Sequence, residues 1–333
     1  TISGLLDIGL NNAKAEGKSA SNNAAYNNAG TSQITFRAQE DLGGGMKAGV
    51  LVESNIVAGA SANGAFGTFQ KYIFVGGGFG ELSFGQRTNF STTTATTAQP
   101  FGTALGSGYS GAFGRLAGWA SNATGAIINS TATAGNRDVR ADGSVRYDSP
   151  NMQGFTAGLS YKPKNVGLTA NETAASTGHM NIGLNYGVGP MKVSYAYAKI
   201  NNSTIPANVG DNVDESTKHN LLGANYNFGP ATVYAGYTTS KADNGAGTTT
   251  ADSRSWNLGL RYAVTGNVAV LANYLKDNDK TIGNDDRKLF ALGLDYGFSK
   301  RTTAYARYET VDSDTNAAGG KLTTYSAGLR HTF

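Results

Sequence analysis

The chain has 333 residues, a formal net charge of +4 and no cysteine, and only 15% of its residues are charged while 39% are hydrophobic. Both fractions are low for a soluble domain, which excludes a large conventional core, and the aromatic content argues against disorder. The lack of cysteine excludes disulfide frameworks and thiolate metal sites, and no cluster of lysine and arginine indicates a nucleic-acid partner. The chain must therefore bury its apolar surface by an arrangement other than a large central core.

No segment is suited to a transmembrane helix. The stretch LFALGLDYGF at 289–298 is among the most apolar and still contains Asp295, whereas a helical span needs about 18 consecutive apolar residues. The opening TISGLLDIGL has neither the basic nor the apolar region of a signal peptide. We therefore expect Thr1 to begin a processed or recombinant form of the protein.

Apolar or aromatic residues alternate with small or polar ones along the whole chain, which is typical of β-strands. In VSYAY, for example, Val193, Tyr195 and Tyr197 share one parity. Sixteen strands are predicted, joined by seven short turns and eight longer polar loops. They lie near 2–11, 32–40, 46–56, 69–76, 81–87, 139–148, 154–163, 179–187, 191–200, 218–228, 231–241, 253–262, 267–276, 287–297, 302–311 and 322–333.

An even number of strands of about 10 residues is typical of a transmembrane β-barrel. In lipid every backbone N–H and C=O group must be paired, so the sheet must close, with its first strand against its last. TYSAGLRHTF, which alternates up to Phe333, is the predicted closing strand. The predicted fold is all-β: a sixteen-stranded antiparallel transmembrane barrel that forms one domain over 1–333.

A soluble β-sandwich or a repeat array would also alternate. Its outward parity would carry Lys, Glu and Thr, whereas here one parity is apolar and the other is small and polar. This difference favours a barrel with its apolar side outward. The outward parity is then predicted to carry an aromatic girdle: Phe36, Tyr72, Tyr197, Tyr237, Trp256, Tyr262, Tyr274 and Tyr296.

Several segments carry a resemblance to a known family. They are EDLGGGMKAG (40–49), GFGELSFG (78–85), SVRYDSPNMQGF (144–155), YNFGP (226–230), SKRTTAYARY (299–308) and GLRHTF (328–333). In this order they resemble the general porins of Gram-negative bacteria, most nearly the neisserial and betaproteobacterial branch. The resemblance implies a homotrimer of barrels in the outer membrane, with short periplasmic turns, long external loops and an inward-folded third loop that narrows the lumen.

The resemblance also implies partners and a transport role. Small hydrophilic solutes and inorganic anions would pass by diffusion, without a cofactor or a metal. Lipopolysaccharide and other outer-membrane lipid would surround the barrel, and the barrel-assembly machinery would read Phe333 as a C-terminal assembly signal. The subunits would associate through the outer faces of the first and last few strands.

The longest connector, about 88–138, has the position of the third loop. Between Thr88 and Arg137 it contains no Asp, Glu or Lys, and its only formal charges are Arg115 and Arg137. Many porins set an acidic loop against a basic wall, and this chain departs from that pattern. We expect this connector to form the constriction.

The parity opposite the apolar one predicts the lumen wall. Near mid-strand it offers the cations Arg37, Lys71, Arg140 and Arg307 and the anions Glu53, Asp142 and Glu309, with Arg146 nearer the periplasm. The four cations and three anions almost balance, and Arg115 raises the surplus of positive charge from one to two; rings of basic side chains favour anions. We therefore predict a mild anion preference. Alternatively, Arg37 and Glu53 form a cross-strand pair that only solvates the lumen.

Two other functions are known for outer-membrane barrels. A substrate-specific uptake channel for a small anionic solute or a sugar would line its lumen with aromatic residues, and the candidates are Tyr234, Tyr305 and the loop residues Phe101, Tyr109, Phe113 and Trp119. The loop aromatics could equally pack the loop against the wall. An outer-membrane hydrolase would need a nucleophile, a base and an acid at one rim.

Enzyme activity is not expected. The chain contains no G-x-S-x-G motif, and His179, His219 and His331 lack metal-ligand spacing. We expect His179 and His331 to lie toward opposite ends of the barrel.

Overall fold

A computed structural model describes residues 1–17, 19–26, 29–56, 66–108, 140–163, 176–204, 213–243, 247–280, 286–313 and 321–333. These ranges contain seventeen strands and one helix. The strands are β1 (Ile2–Ala15), β2 (Ser21–Tyr26), β3 (Gln33–Gly43), β4 (Met46–Asn55), β5 (Lys71–Gly77), β6 (Gly80–Thr88), β7 (Arg140–Asp148), β8 (Phe155–Lys162), β9 (Ser176–Val188), β10 (Met191–Thr204), β11 (Val213–Asn227), β12 (Ala231–Asp243), β13 (Thr249–Ala263), β14 (Val268–Asp279), β15 (Arg287–Gly297), β16 (Thr302–Ser313) and β17 (Lys321–Thr332). The helix α1 (Phe90–Thr97) follows β6.

The sheet closes through β1 and β17. They pair antiparallel, from Leu5 opposite Thr332 to Ala15 opposite Leu322. Phe333 extends this seam, because its N–H donates to the Gly4 carbonyl at 3.1 Å and its carbonyl accepts from the Gly4 N–H at 3.0 Å. The predicted closed antiparallel barrel is confirmed.

Two of the strands share one position in the barrel. β2 pairs with β1 over 8–13, and β3 pairs with β1 over 2–5. Because both occupy the same edge of β1, the seventeen strands make a sixteen-stranded barrel, as predicted. The sequence does not predict β2, since SNNAAY has polar or small side chains on both parities.

Alternation along the strands separates an apolar outer face from a polar inner face. Leu258 is 59% exposed on the outer face, while the neighbouring Asn257 is buried on the inner face. Trp256 and Tyr274 stack on the outer face with their ring centres 5.4 Å apart. The same outward parity carries Phe36, Tyr197, Tyr237, Tyr262 and Tyr296.

Tyr72 is an exception, and its predicted outward position is wrong. In β5 it is Ile73 that is exposed, while Tyr72 and Phe74 are buried and pack with Leu51 of β4. The Arg87 guanidinium lies 4.5 Å from the centre of the Tyr72 ring. KYIFVGG has apolar side chains on both parities, so alternation alone does not determine which parity faces inward.

The register also places Lys71, Arg140 and Asp142 on the outer face. Lys71 shares the parity of Ile73, and its ammonium lies 4.0 Å from the Asp142 carboxylate. The β6–β7 register shifts beside Gly85, and Gly143 has a φ of 69°, so a bulge changes which side chains of β7 point inward. The predictions that Lys71, Arg140 and Asp142 face the lumen are therefore wrong.

Candidate functional site in the barrel lumen

Residues 89–108, here called the lumen segment, are hydrogen-bonded to the inner face of the barrel. The Phe90 N–H donates to Asn181 Oδ1 of β9 at 2.8 Å, and Thr94 Oγ1 lies 2.7 Å from Ser194 Oγ of β10. Further along, Asn257 of β13 donates to the Ala98 carbonyl at 2.6 Å. These partners all lie on the inward parity, so the lumen segment lies against the wall formed by β9 to β16.

Apolar contacts support the same arrangement. Phe90, Ala95 and Phe101 are buried in one cluster with inward side chains of the wall: Ala196, Leu221, Leu271, Leu275, Leu289, Ala291 and Val311. Burial of a Phe side chain contributes about 2 kcal/mol. Phe101 therefore packs the segment against the wall. Tyr109, Phe113 and Trp119 lie outside the described residues.

Glycines on the inner face leave room for α1. A Cβ atom at Gly158 of β8 or at Gly183 of β9 would overlap the Phe90 ring. A Cβ atom at Gly223 of β11 would lie 2.5 Å from the Thr94 carbonyl oxygen. The FSTTTATT helix is rich in β-branched threonine, which has a modest helix propensity. We infer that tertiary contact, more than propensity, stabilises α1.

Three arginines lie on the inner face of β3, β6 and β7, and one of them, Arg146, contacts the lumen segment. The guanidinium of Arg37 lies 4.8 Å from the Phe74 ring centre, that of Arg87 lies over Tyr72, and that of Arg146 lies 3.8 Å from the Phe90 ring centre. An aromatic face attracts a cation by about 0.5 to 2 kcal/mol. We call Arg37, Arg87 and Arg146 the arginine wall.

Two members of the arginine wall are neutralised by carboxylates. Arg87 lies 3.0 Å from Glu81 and 3.1 Å from Asp148, and Arg146 lies 2.6 Å from Asp148. Arg37 instead donates to the side chain of Gln39 at 3.2 Å, and no carboxylate among the described residues lies within 4.0 Å of it. Among the described residues, Arg37 is therefore a cation on the inner face without a carboxylate partner.

Glu53 does not pair with Arg37. It is buried and accepts hydrogen bonds from Gln33 at 2.8 Å, Thr35 at 3.3 Å and Gln70 at 3.3 Å. The residue opposite Arg37 on β4 is Leu51. The alternative of an Arg37–Glu53 cross-strand pair is wrong.

Arg307 is on the inward parity but does not line open space. Its guanidinium donates to the Asp295 carboxylate at 2.5 Å, its side chain is only 3% exposed, and it lies 5.7 Å from the Phe101 ring centre. Arg307 therefore lies behind the lumen segment and supports it, which corrects its predicted place at the constriction. Arg115 lies outside the described residues.

The sequence does not predict a second feature of the inner face, the hydrogen-bonded carboxylate of Asp7. Asp7 of β1 accepts from the N–H groups of Ala29 at 2.5 Å and Gly30 at 2.8 Å, and from the hydroxyl of Tyr305 at 2.5 Å. Thr31 Oγ1 lies 2.8 Å from Thr103 Oγ1. Residues 29–32, here called the inner bulge, thus lie over β1 and touch the lumen segment. The signal in the sequence is that Asp7 is the one charged residue of TISGLLDIGL and lies on the inward parity.

The remaining candidates do not form a catalytic or metal site. His179 lies beside Asn89 with 3.3 Å between side-chain nitrogens, at the loop end of β9, while His331 lies 2.9 Å from Thr302 at the turn end of β17. Within the described ranges no three metal-ligating residues come together, and no helix is long and apolar enough to span a membrane. Tyr234 is inward on β12.

The geometry is that of a closed barrel with a lined lumen, and the sequence matches a known family. The profile described as Gram-negative porin matches residues 1–316. The chain belongs to the Gram-negative porin family. This porin is 29% identical to outer membrane porin protein 32 of Delftia acidovorans, over 100% of this chain and 93% of that protein. It is 27% identical to major outer membrane protein P.IB of Neisseria lactamica, over 91% of this chain and 83% of that protein.

Solved structures share the fold. An anion-selective porin from Comamonas acidovorans superposes with a TM-score of 0.81 at 24% identity, covering 100% of this porin and 99% of that chain. The trimer form of OmpT from Vibrio cholerae superposes with a TM-score of 0.72 at 15% identity, covering 100% and 98%. The porin is thus an outer-membrane protein with the sixteen-stranded porin fold.

Proposed function

We propose that this porin is a general diffusion channel with a mild anion preference, and that ions and small hydrophilic solutes pass between the lumen segment and the inner face of β3 at Arg37. The observation that carries the proposal is Arg37 on the inner face, which has no carboxylate partner among the described residues. The lumen segment itself contains no charged residue. Within the part of the chain that the structure describes, the lumen segment therefore presents no acidic side chain to Arg37.

The expected selectivity is mild for electrostatic reasons. A charge in a wet pore interacts with an ion at contact by roughly 1 to 4 kcal/mol, and salt screens this further. Arg87 and Arg146 share Glu81 and Asp148, so their field largely cancels. We propose that the 88–138 connector is the constriction loop, that Arg115 adds positive charge there, and that Glu53 is a hydrogen-bonded part of the wall.

The proposal includes a homotrimer that associates through the first and last strands. In its support, an apolar groove of about 510 Å³ lies on the outer face, lined by residues of β13 to β17 that include Leu292, Ala306, Tyr308 and Tyr325. One solved structure with this fold is a trimer form. We further propose that the barrel-assembly machinery reads Phe333 and that lipopolysaccharide surrounds the outer leaflet end.

We propose that the protein acts as a channel and not as an enzyme. Diffusion needs neither a cofactor nor a metal. His179 lies beside Asn89 at the loop end of its strand, and His331 lies beside Thr302 at the turn end. The specific-channel alternative gains little support, because Tyr305 is engaged by Asp7 and Phe101 is buried against the wall.

Single-channel recording in a planar bilayer under a salt gradient tests this function. We expect ohmic conductance with a reversal potential that indicates a small preference for chloride over potassium. A strong cation preference would refute the electrostatic proposal and leave the fold unaffected. Saturation of the current by one sugar or carboxylate would support the specific channel instead.

A further inference from the structure

The strand that pairs with β1 changes from β2 to β3 partway along the barrel wall. Tyr26 of β2 lies opposite Ile8, and Gln33 of β3 lies opposite Leu5. Six residues, 27–32, join these two positions, whereas β1 advances between them by only two residues. A regular strand uses one residue for each partner residue, so the extra residues do not fit within the wall. The chain must leave the wall here and return to it.

The inner bulge takes this excursion over the inner face of β1 and β17. The Asp7 N–H donates to Ser32 Oγ at 3.0 Å, and Ser32 Oγ donates to the Asp7 carbonyl at 3.1 Å. From β17 the Arg330 guanidinium donates to the Ala29 carbonyl at 2.8 Å. A Cβ atom at Gly30 would lie 3.1 Å from Arg330 Cδ. The inner bulge is therefore bound to both strands of the seam.

The inner bulge continues the inner layer that the lumen segment forms. The lumen segment contacts the wall from β7, where it meets Arg146, to β16, where the Gly106 N–H donates to Glu309. The next two strands around the barrel are β17 and β1, which the inner bulge covers. Thr103 Oγ1 of the lumen segment lies 2.8 Å from Thr31 Oγ1 of the inner bulge. The two elements together line the wall from β7 round to β1.

We propose that the inner bulge is a second constriction element of the channel, in addition to the lumen segment. It narrows the lumen along β17 and β1 and leaves the passage on the side of β3, beside Arg37. This rests on the proposed diffusion channel and identifies a second boundary of its passage. Thr31 and Thr103 are positioning residues, because their contact joins the two elements.

The chemistry of the inner bulge suits a limit on solute size better than a filter for charge. Residues 29–32 read AGTS and carry no charge, and the Asp7 carboxylate that holds them is 0% exposed. Pore width and the charges that line a pore act separately on selectivity. An uncharged element that occupies part of the lumen therefore limits the size of the hydrophilic solutes that pass and the total current.

A porin with a shortened bulge tests this proposal. In the test variant Ser-Val replaces residues 27–32, so that β2 continues into β3 with one residue for each partner on β1. The serine would lie opposite Asp7 and the valine opposite Leu6, which keeps the register of both strands. We expect a roughly twofold higher single-channel conductance and entry of larger polyethylene glycols. A folded variant with unchanged conductance and unchanged size limit would overturn the proposal.

A cysteine pair keeps the proposal testable if the shortened variant does not fold. The porin has no cysteine, and the Thr31 and Thr103 hydroxyls are adjacent. Oxidation of Thr31→Cys/Thr103→Cys should therefore form a disulfide and leave the conductance unchanged, because the two elements are already joined. The control is Thr31→Cys/Thr96→Cys, which should not cross-link, since Thr96 is on α1 against β9 to β11.

The single variant Thr31→Cys tests the narrowing itself. A bulky uncharged methanethiosulfonate reagent at this position should lower the conductance by roughly a third, because it adds volume beside the passage. Failure of the pair to cross-link, or a conductance that modification leaves unchanged, would overturn the proposal. The proposed pathway is tested separately by the reversal potential of Arg37→Gln. A wider pore in the shortened variant with no effect of Arg37→Gln would refute that pathway and retain the second constriction.

Discussion

The Glu309 carboxylate accepts a hydrogen bond from the Gly106 N–H at 2.7 Å, joining residues 203 positions apart in the sequence. The Gly106 carbonyl accepts from Asn273 at 3.0 Å. Gly106 has a φ of 98°, a conformation that favours glycine. Both backbone groups of one glycine are therefore held by the inner wall, and the end of the lumen segment is fixed there.

Replacing Glu309 should loosen the lumen segment. Glu309→Leu leaves the buried Gly106 N–H without an acceptor, which costs about 1 to 3 kcal/mol. We expect larger and noisier single-channel currents. Glu309→Gln keeps an acceptor and should restore quiet currents, and Asp312→Asn on the outer face of the same strand is the matched control. Unchanged currents in Glu309→Leu would show that this contact does not position the segment.

Asp7 should stabilise the barrel through the inner bulge. Asp7→Ala removes the acceptor for Ala29, Gly30 and Tyr305 together, whereas Tyr305→Phe removes only one donor. We expect the first variant to lower the free energy of unfolding by about 2 to 4 kcal/mol and the second by about 1 kcal/mol. The double variant should be no less stable than Asp7→Ala alone. Additive losses in urea unfolding would mean that the two residues act independently.

Arg37 and Lys71 should differ in their effect on selectivity, because only Arg37 faces inward. Arg37→Gln is expected to lower the chloride-to-potassium permeability ratio about twofold, since one screened charge is removed from the lumen. Lys71→Gln removes the same charge from the outer face and should leave the ratio unchanged. A larger effect of Lys71→Gln would return it to the lumen and reverse the assigned register of β5.

Closure of the barrel should depend on the lack of a side chain at Gly4. A Cβ atom there would overlap the Phe333 ring and come within 2.7 Å of the Gln33 carbonyl oxygen. Gly4→Val should therefore reduce refolding into the heat-modifiable form on gel electrophoresis. Gly266→Val is the control, because a Cβ atom at Gly266 meets nothing within 4 Å. Equal yields for the two variants would contradict the assigned seam.

The sequence predicts the barrel well because lipid and water select opposite parities over many strands. β15 shows this clearly, with Phe290 and Leu292 outward and Ala291 buried inward. Prediction fails where that contrast is weak. Tyr72 and Ile73 are both apolar, so only packing with Leu51 decides which one faces inward.

The candidate site is less predictable because its contacts are distant in sequence. Alternation places Arg307 on the inner face, but it does not show that Phe101 covers it. A single bulge at Gly143 changes the face of Asp142. The fit of Phe90 against Gly183 is likewise visible only in three dimensions.

The most direct test of the proposed pathway is chemical modification of Arg37→Cys in an open channel. The porin has no cysteine of its own, so this thiol is unique. A negatively charged methanethiosulfonate reagent should lower the current in discrete steps and shift the reversal potential toward cation preference. Lys71→Cys should give neither change. If Arg37→Cys reacts without altering current or potential, or does not react from the aqueous phase, ions do not pass beside Arg37 and the proposed pathway is wrong.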